Sequence, residues 1–427
     1  MAAVIQIELN EINLPWVRAY GERGELPVLN ELIERHGCVE TASEDVYEHV
    51  EPWIQWVTAH TGLPFAEHGV FRLGDMAGRT DLGQVWERLE GKGRRVGAIS
   101  PMNARCAVSN APFFMPDPWT PTGLRGEPWL QSLHAALRQA VQDNAAGGPA
   151  LRNVPTLLAG MLRACGPGDL GELSRLAATA RRRPWRKAIF LDVFLFAVFL
   201  QQWRRHRPDF ASLFVNAGAH IQHHYLFNAT VYEGGNRNPA WYVDPDADPV
   251  LEVYRAYDRM IGRLLRHAGG ARLIVATGLH QDPEPDPIYY WRPRDHAGLV
   301  RRLGVRCQAV EPRMSRDFLV RYPDPAAAET GNARLAGLRL GGLAVFSVAP
   351  HGATEAFVEL AYPRDLPPGS VPVADDGSAT DVDLSAEVTF VALKNGRHNG
   401  TGYLVDTGNR ATSGERIPLS DVAHLAA

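Results

Sequence analysis

Short apolar strands alternate with amphipathic helical stretches along the first hundred residues, and no other sequence feature limits the possible folds as much. Val4–Leu9 and residues 95–100 have the apolar and β-branched composition of buried strands, and residues 26–35 between them have helical periodicity. Strands that alternate with helices form mostly parallel sheets covered by helices. The sequence therefore predicts an α/β fold with a mostly parallel central sheet and helices on both faces.

The same pattern returns after a helical interruption. Strand patterns recur at residues 211–216 and 272–276 with a helix pattern at residues 253–267 between them, whereas residues 126–207 are helical throughout. This organisation predicts a core of residues 1–125 and 208–427 with a helical insertion, or cap, at residues 126–207. Alternating residues at 387–393 and 401–405 predict further strands at the sheet edge.

Charge and cysteine content narrow the classes of partner and compartment. The 427 residues include 44 basic and 48 acidic side chains, for a net charge of -4, so nucleic acid is not expected as a primary partner. Scattered cysteines without metal-ligand spacing, and an N-terminus without signal-peptide features, predict a cytoplasmic protein. The apolar run at residues 188–200 is too short to cross a bilayer and predicts a buried helix or a cap helix, with an interfacial membrane role as the alternative, so no transmembrane segment is expected.

Two histidines follow the strand pattern at residues 211–216. His220 and His224 are four residues apart, which places both imidazoles on one face of a helical turn, a spacing suited to a divalent metal. The carboxyl ends of strands in α/β sheets are common ligand sites. The alternative is that both histidines are hydrogen-bonded within a crowded helix start.

Two further histidines lie in polar loops next to strand patterns. His398 lies in a glycine-flanked loop at residues 394–402, from which it would project as a third nitrogen ligand, or else form part of a solvated turn. His280 follows the strand at residues 272–276 and would contribute to a ligand site or to a simple turn. In residues 51–70 the spacing of Trp56, Val57 and His60 predicts a packed helix that ends at Gly62.

Taken in order, these segments resemble the alkaline phosphatase superfamily, particularly its type I phosphodiesterase/nucleotide pyrophosphatase and sulfatase-like branches. Residues 61–70 resemble the family's TG-x-x-P-x-x-HG-I segment with the proline displaced by one place, and residues 257–265 its D-x-x-I-G-x-L-L helix. His220 and His224 fall on its D-x-x-G-H pair. Residues 277–280 fall on its S-D-H-G motif, and residues 396–399 on its G-T-H-G motif. The resemblance runs collinearly over about residues 4–408.

The departures from the family pattern concern its metal ligands. The positions of one family metal site carry residues that are poor or impossible ligands, so the resemblance implies that this site is lost: Asn10, Pro52, Gly278 and Leu279. The other site becomes His220, His224 and His398. Three neutral imidazoles with an open fourth position are a standard catalytic zinc arrangement. We therefore expect one divalent metal, zinc or alternatively manganese.

The resemblance implies a hydrolase or transferase acting on a phospho-, sulfo- or related ester of a small molecule or conjugate. Because Pro52 replaces the family's nucleophile, we expect attack by metal-bound water or by a second substrate. The predicted general bases or orienting residues are Glu51, Thr58 and Glu11, with Glu8 also considered. The predicted pocket residues are Asn10, Gln55, His60 and His280. Core packing is the alternative for the helix residues among them.

Two alternatives stay open at this point. The first alternative is that the chain is a catalytically silent relative that serves as a binding or scaffold protein, since the nucleophile and one ligand set are lost. The basic run at residues 181–187 in the predicted cap would bind a phosphate-bearing group or simply connect two helices.

Overall fold

The computed structural model describes residues 2–44, 46–145, 153–313, 316–409, 411–412 and 414–426. It contains two compact units, unit 1 with Met1–Pro283 and Gly396–Ala427, and unit 2 with Glu284–Asn395. The sequence patterns do not set unit 2 apart from the predicted core. The separate cap at residues 126–207 stays a prediction.

The secondary structure of the described residues follows the chain in this order. The α-helices are α1 Leu14–Glu22, α2 Pro27–His36, α3 Pro52–Thr61, α4 Phe65–His68, α5 Val85–Gly91, α6 Pro128–Ala145, α7 Val154–Ala164, α8 Pro167–Thr179, α9 Arg186–His206, α10 Ala217–Tyr225, α11 Pro249–His267, α12 His296–Arg302, α13 Pro325–Ala336 and α14 Leu384–Glu387. The strands are β1 Val4–Leu9, β2 Val39–Ala42, β3 Val96–Ile99, β4 Phe113–Met115, β5 Phe210–Val215, β6 Arg272–Ala276, β7 His280–Pro293, β8 Ala309–Pro312, β9 Asp317–Arg321, β10 Arg339–Leu340, β11 Leu343–Ala344, β12 Phe346–His351, β13 Glu355–Leu360, β14 Val388–Asn399, β15 Thr401–Asp406 and β16 Arg416–Pro418.

The main sheet of unit 1 has the order β16-β2-β15-β6-β1-β5-β3-β4. The five strands from β6 to β4 run parallel to one another, so the predicted α/β fold with a mostly parallel central sheet is confirmed. Residues 401–405 were expected at the sheet edge, but β15 lies between β6 and β2 and is antiparallel to both. This inner position covers both faces of β15: Tyr403 is buried in the core on one side of the sheet, and Leu404 in the core on the other side.

Side chains alternate along β1 between two cores on the two faces of the sheet. Ile5, Ile7 and Leu9 pack into the core that includes residues of α2, α9 and α11. Val4 packs into the other core, which includes residues of α3 and α5, and Glu8 lies on the same face of the strand. Helices therefore cover both faces, and β1 occupies the middle of the sheet with its carboxyl end at Leu9.

Unit 2 is built on an antiparallel sheet of order β12-β13-β9-β8. Phe318, Val320, Val358 and Leu360 from this sheet lie in a core of their own with residues of α12 and α13. Strands β7 and β14 carry the chain from unit 1 into unit 2 and back.

The apolar run at residues 188–200 lies within α9 and is largely buried, with Phe194, Phe196 and Phe199 almost fully covered. Among the described residues, no helix combines the length and apolarity that crossing a bilayer requires.

Asp192 in α9 fixes the beginning of α10. Its carboxylate accepts hydrogen bonds from the backbone N–H groups of Asn216 at 3.2 Å and Ala217 at 2.7 Å, and from the Tyr257 hydroxyl at 2.7 Å. Burial raises the pKa of Asp192 to about 6, so the group is mostly ionised at neutral pH. A negative charge at this position satisfies and stabilises the helix N-terminus.

Replacing Asp192 tests this interaction. Asp192→Ala would leave three donors without their acceptor, two of them buried, so we expect the free energy of unfolding to fall by about 2–4 kcal/mol. Urea denaturation at pH 7.5 measures the change. The control Glu22→Ala removes an exposed carboxylate and is expected to change stability by less than about 0.5 kcal/mol. Equal stability of both variants would contradict the capping role.

Candidate metal centre

Three side chains from remote parts of the chain converge beyond the carboxyl end of β1. Glu11 Oε2 lies 3.2 Å from His223 Nε2 and 3.2 Å from His398 Nε2, and the two imidazole nitrogens are also 3.2 Å apart. Glu11 is almost fully buried, and both histidines are partly buried. Among the described residues, this is the group of three or more His, Cys, Asp and Glu side chains close enough to share an ion.

The triangle of donor atoms has the dimensions of one face of a tetrahedral metal site. A tetrahedral ion with ligand bonds of about 2.0–2.1 Å separates its ligand atoms by about 3.3 Å, close to the observed edges. Two imidazoles and one carboxylate are also the ligand types that catalytic zinc sites use, with a fourth position open. Both the geometry and the chemistry of the donor set therefore fit a divalent metal such as zinc.

The backbone of Glu11 has a left-handed conformation, with φ of 61°. A non-glycine residue adopts this conformation at an energetic cost, and such residues concentrate at functional sites. Backbone hydrogen bonds hold it: the Glu11 N–H donates to the Thr277 carbonyl at 3.1 Å, and Gln222 Nε2 donates to the Glu11 carbonyl at 2.6 Å. The sharp turn after β1 thus directs the carboxylate toward the two imidazoles.

Both oxygens of the Glu11 carboxylate accept hydrogen bonds from side-chain amides. Asn10 Nδ2 donates to Oε1 at 3.0 Å, and Gln281 Nε2 donates to Oε2. Burial alone would raise the pKa of Glu11, but the neighbouring His398 and His223 imidazoles hold its pKa well below the usual value. The group is therefore a buried carboxylate anion, the form in which it could bind a metal.

Each imidazole is oriented by a contact on its other nitrogen. His223 Nδ1 lies 3.3 Å from the carbonyl oxygen of Gly396, and His398 Nδ1 lies 3.5 Å from Glu51 Oε2. Metal-bound histidines commonly donate their second N–H to a carbonyl or carboxylate, which fixes the tautomer and leaves the other nitrogen for the metal. Both contacts therefore direct Nε2 toward Glu11.

The structure groups His223 with His398, whereas the sequence analysis expected His220 and His224. His220 is exposed and His224 is partly buried; their ring centroids are 5.0 Å apart, and neither belongs to the group with Glu11. The reason is the rotation of α10 about its axis. Burial of Gly218, Ile221 and Tyr225 fixes that rotation and turns His223 toward Glu11. The predicted role of His220 and His224 as ligands stays a prediction.

The remaining predicted catalytic residues occupy two different places. Glu51 precedes α3 and lies beside His398, as described above, whereas Glu11 is itself a member of the group. Thr58 is buried within α3, where its hydroxyl lies 3.1 Å from His68 Nε2. His68 Nδ1 in turn accepts from the Val70 N–H at 3.0 Å. The structure therefore places Thr58 in a hydrogen-bonded core contact.

The predicted pocket residues are also dispersed. Asn10 adjoins Glu11 and accepts from Trp56 Nε1 at 2.7 Å. Gln55 is buried and donates to the His49 carbonyl, and His60 is buried beside Glu8 at 3.0 Å. His280 Nδ1 lies 2.5 Å from the Thr401 carbonyl oxygen, and its Nε2 lies 3.3 Å from Asp282. The structure brings only Asn10 into direct contact with the group.

The positions of the family's other metal site carry no ion-binding cluster within the part of the chain that the structure describes. Pro52 begins α3, and Leu279 is fully buried. Gly278 has φ of 74°, and a Cβ there would lie 3.0 Å from the Trp56 ring.

In the basic run, residues 181–184 are exposed between α8 and α9, whereas Arg186 pairs with Glu252 at 2.7 Å.

Comparison with known proteins gives structural likeness alone. No family model and no curated protein matches the chain. Among solved structures, phosphonoacetate hydrolase from Sinorhizobium meliloti in complex with phosphonoacetate is 11% identical, with 100% of this chain and 95% of that chain covered and a TM-score of 0.39. Human ectonucleotide pyrophosphatase/phosphodiesterase 5 is 10% identical, with 99% and 93% covered and a TM-score of 0.45. An inactive variant of the murine enzyme in complex with AMP is also 10% identical, with 100% and 94% covered and a TM-score of 0.45.

At these identities and TM-scores, the likeness does not establish an activity for this chain.

Metal titration of single variants tests the group directly. We expect the protein to bind one zinc ion, and Glu11→Gln, His223→Ala and His398→Ala each to weaken that binding about 100-fold or more, because each removes one ligand atom. Competition with a chromophoric chelator measures the affinity. The matched variants His220→Ala and His224→Ala are expected to bind zinc as the wild type does, and zinc loss in these two alone would favour the ligand set predicted from sequence.

The buried contact of His68 predicts a dependence of stability on pH. Burial, with a contribution from Arg79, lowers the pKa of His68 from 6.5 to about 4. Because the pKa of His68 is lower in the folded state than in the unfolded state, the unfolded state binds the proton first as the pH falls. The free energy of unfolding is therefore at its full value above about pH 6.5 and decreases as the pH falls toward 4. Between pH 7 and pH 5 we expect the wild type to lose about 2 kcal/mol more unfolding free energy than His68→Gln. Urea denaturation at both pH values measures this, and exposed His424→Gln should behave like the wild type.

Proposed function

We propose that the protein is a metal-dependent hydrolase or transferase that acts on a phospho-, sulfo- or related ester. The observation that carries the proposal is the group of Glu11, His223 and His398, with donor atoms 3.2 Å apart on every edge. The collinear sequence resemblance to the alkaline phosphatase superfamily gives the class of substrate. Zinc is the expected metal and manganese the alternative.

A divalent ion held by these three side chains would supply Lewis acidity toward an ester oxygen or a bound water. The protein's own contribution is to prepare the ligands before the ion arrives. Asn10 and Gln281 donate to the Glu11 carboxylate, and the adjacent His398 and His223 imidazoles hold its pKa well below the usual value, so Glu11 itself releases no proton when an ion binds. Glu51 and the Gly396 carbonyl orient the imidazoles, which reduces the entropy lost on binding.

We assign Glu51 an orienting role in this proposal. Its carboxylate faces His398 Nδ1 at 3.5 Å and keeps a side-chain exposure of 30%, so it lies at the border between the metal group and solvent. A carboxylate in that place holds the imidazole in the tautomer that presents Nε2 to Glu11. The same exposure leaves it able to accept a proton from a substrate hydroxyl or water.

The opposing proposal, a catalytically silent binding or scaffold protein, rests on Pro52 in place of a nucleophile and on the buried Leu279. It predicts that metal, if bound, supports no turnover.

The choice between hydrolysis and transfer to a second substrate depends on the acceptor, and a product analysis with and without added alcohol or amine separates the two. The cytoplasmic location stays a prediction.

A panel of chromogenic phosphate mono- and diesters, phosphonates and sulfate esters tests the proposal. We expect turnover of at least one ester class by the zinc- or manganese-loaded protein, and a fall in kcat/KM of about 100-fold or more in His223→Ala and Glu11→Gln. Thr58→Val serves as the control, because Thr58 lies away from the metal group. Metal binding without turnover of any class would favour the scaffold alternative.

A further inference from the structure

A small cavity of about 50 Å³ lies in unit 1 at the carboxyl end of the sheet. Residues that end or follow β3, β4 and β5 form one side of it, and residues of α6 and α9 form the other. Its apolar lining is made by Met115, Trp119, Leu137, Leu191, Leu195 and Phe214.

The cavity adjoins the metal group. The sheet order β1-β5-β3-β4 places the end of β5, one of the lining strands, directly beside the end of β1, where Glu11 begins the turn. Asn216 lines the cavity, and its Oδ1 accepts from Asn10 Nδ2 at 2.7 Å. The same Asn10 nitrogen donates to Glu11 Oε1 at 3.0 Å. Two hydrogen bonds therefore separate the cavity wall from the candidate metal ligand.

Asp192, Asn216 and His134 at the cavity wall are already engaged within the protein, and the Ser100 hydroxyl is a further polar group there. The Asp192 carboxylate accepts from two backbone N–H groups and from Tyr257, and Asn216 is held by Asn10. His134 Nε2 lies 3.4 Å from the Asp117 carbonyl oxygen. What these groups leave for a ligand is mainly hydrocarbon surface, which favours an apolar occupant over a polar one.

We infer that this cavity receives a compact apolar group of the substrate, such as a short alkyl chain, while the ester group lies at Glu11, His223 and His398. This inference rests on the proposed function and adds the substrate class to it. Since an engineered apolar cavity of about 150 Å³ holds one benzene ring, a cavity of about 50 Å³ admits only a few carbon atoms. A nucleoside base is too large for it.

Binding of alkyl phosphates to the zinc-loaded protein tests the inference without requiring turnover. Titration calorimetry with inorganic phosphate, methyl phosphate, ethyl phosphate and propyl phosphate gives the affinities. We expect the affinity to rise about fourfold for each carbon added to the chain, because each methylene leaves water for an apolar cavity. Equal affinities for methyl and propyl phosphate would overturn the inference.

Two variants fill the cavity and one leaves it open. Leu195→Trp places an indole ring where the smaller leucine side chain lines the cavity. We expect this variant to bind inorganic phosphate as the wild type does but to lose the rise in affinity with alkyl chain length. Leu158→Trp is the matched control, because Leu158 is 51% exposed on α7 and the gain should persist. If circular dichroism shows that Leu195→Trp does not fold, Leu137→Phe takes its place.

The outcomes separate this inference from the proposed function. Binding of inorganic phosphate without any gain along the alkyl series, or a gain that persists in the filled variant, overturns the cavity assignment and leaves the metal centre intact. Failure of the zinc-loaded protein to bind phosphate at all counts against the proposed function, and this inference falls with it.

Discussion

The buried carboxylate of Glu11 is the constraint on which the rest of the candidate site depends. An ionised carboxylate away from water is costly unless hydrogen bonds and opposite charge compensate for the lost hydration. Here Asn10 and Gln281 donate to its two oxygens, and two imidazoles lie 3.2 Å from Oε2. A metal ion held by Glu11, His223 and His398 would add further positive charge beside this carboxylate.

The parallel sheet makes this convergence possible. Neighbouring parallel strands end at the same edge, so residues that follow β1, β5 and β6 meet although they lie far apart in the chain. Glu11 follows β1, the helix that carries His223 follows β5, and Gln281 comes soon after β6. The cavity beside the site arises in the same way from the ends of β3, β4 and β5.

The sequence predicted some residues of the candidate site and missed others. His398 and the importance of the segment around His220 follow from sequence, because both lie in polar stretches beside strand patterns. Glu11 was expected as a base rather than as a member of the donor group, since its left-handed backbone is not visible in a pattern of apolar residues. Unit 2 was not separated, because the periodicity of single strands does not show which strands pair, and the separate antiparallel sheet of unit 2 is defined by that pairing.

The sequence by itself determined the α/β class, the positions of the central strands and the segments that carry polar groups. These properties depend on local periodicity and on which residues are apolar, and both are written along the chain. The tertiary structure alone decided that His223, and not His220 or His224, meets Glu11 and His398. That outcome depends on the rotation of α10, which packing of Gly218 and Ile221 fixes against elements distant in sequence, and on a backbone turn at Glu11 that Gln222 and Thr277 hold from other strands and helices.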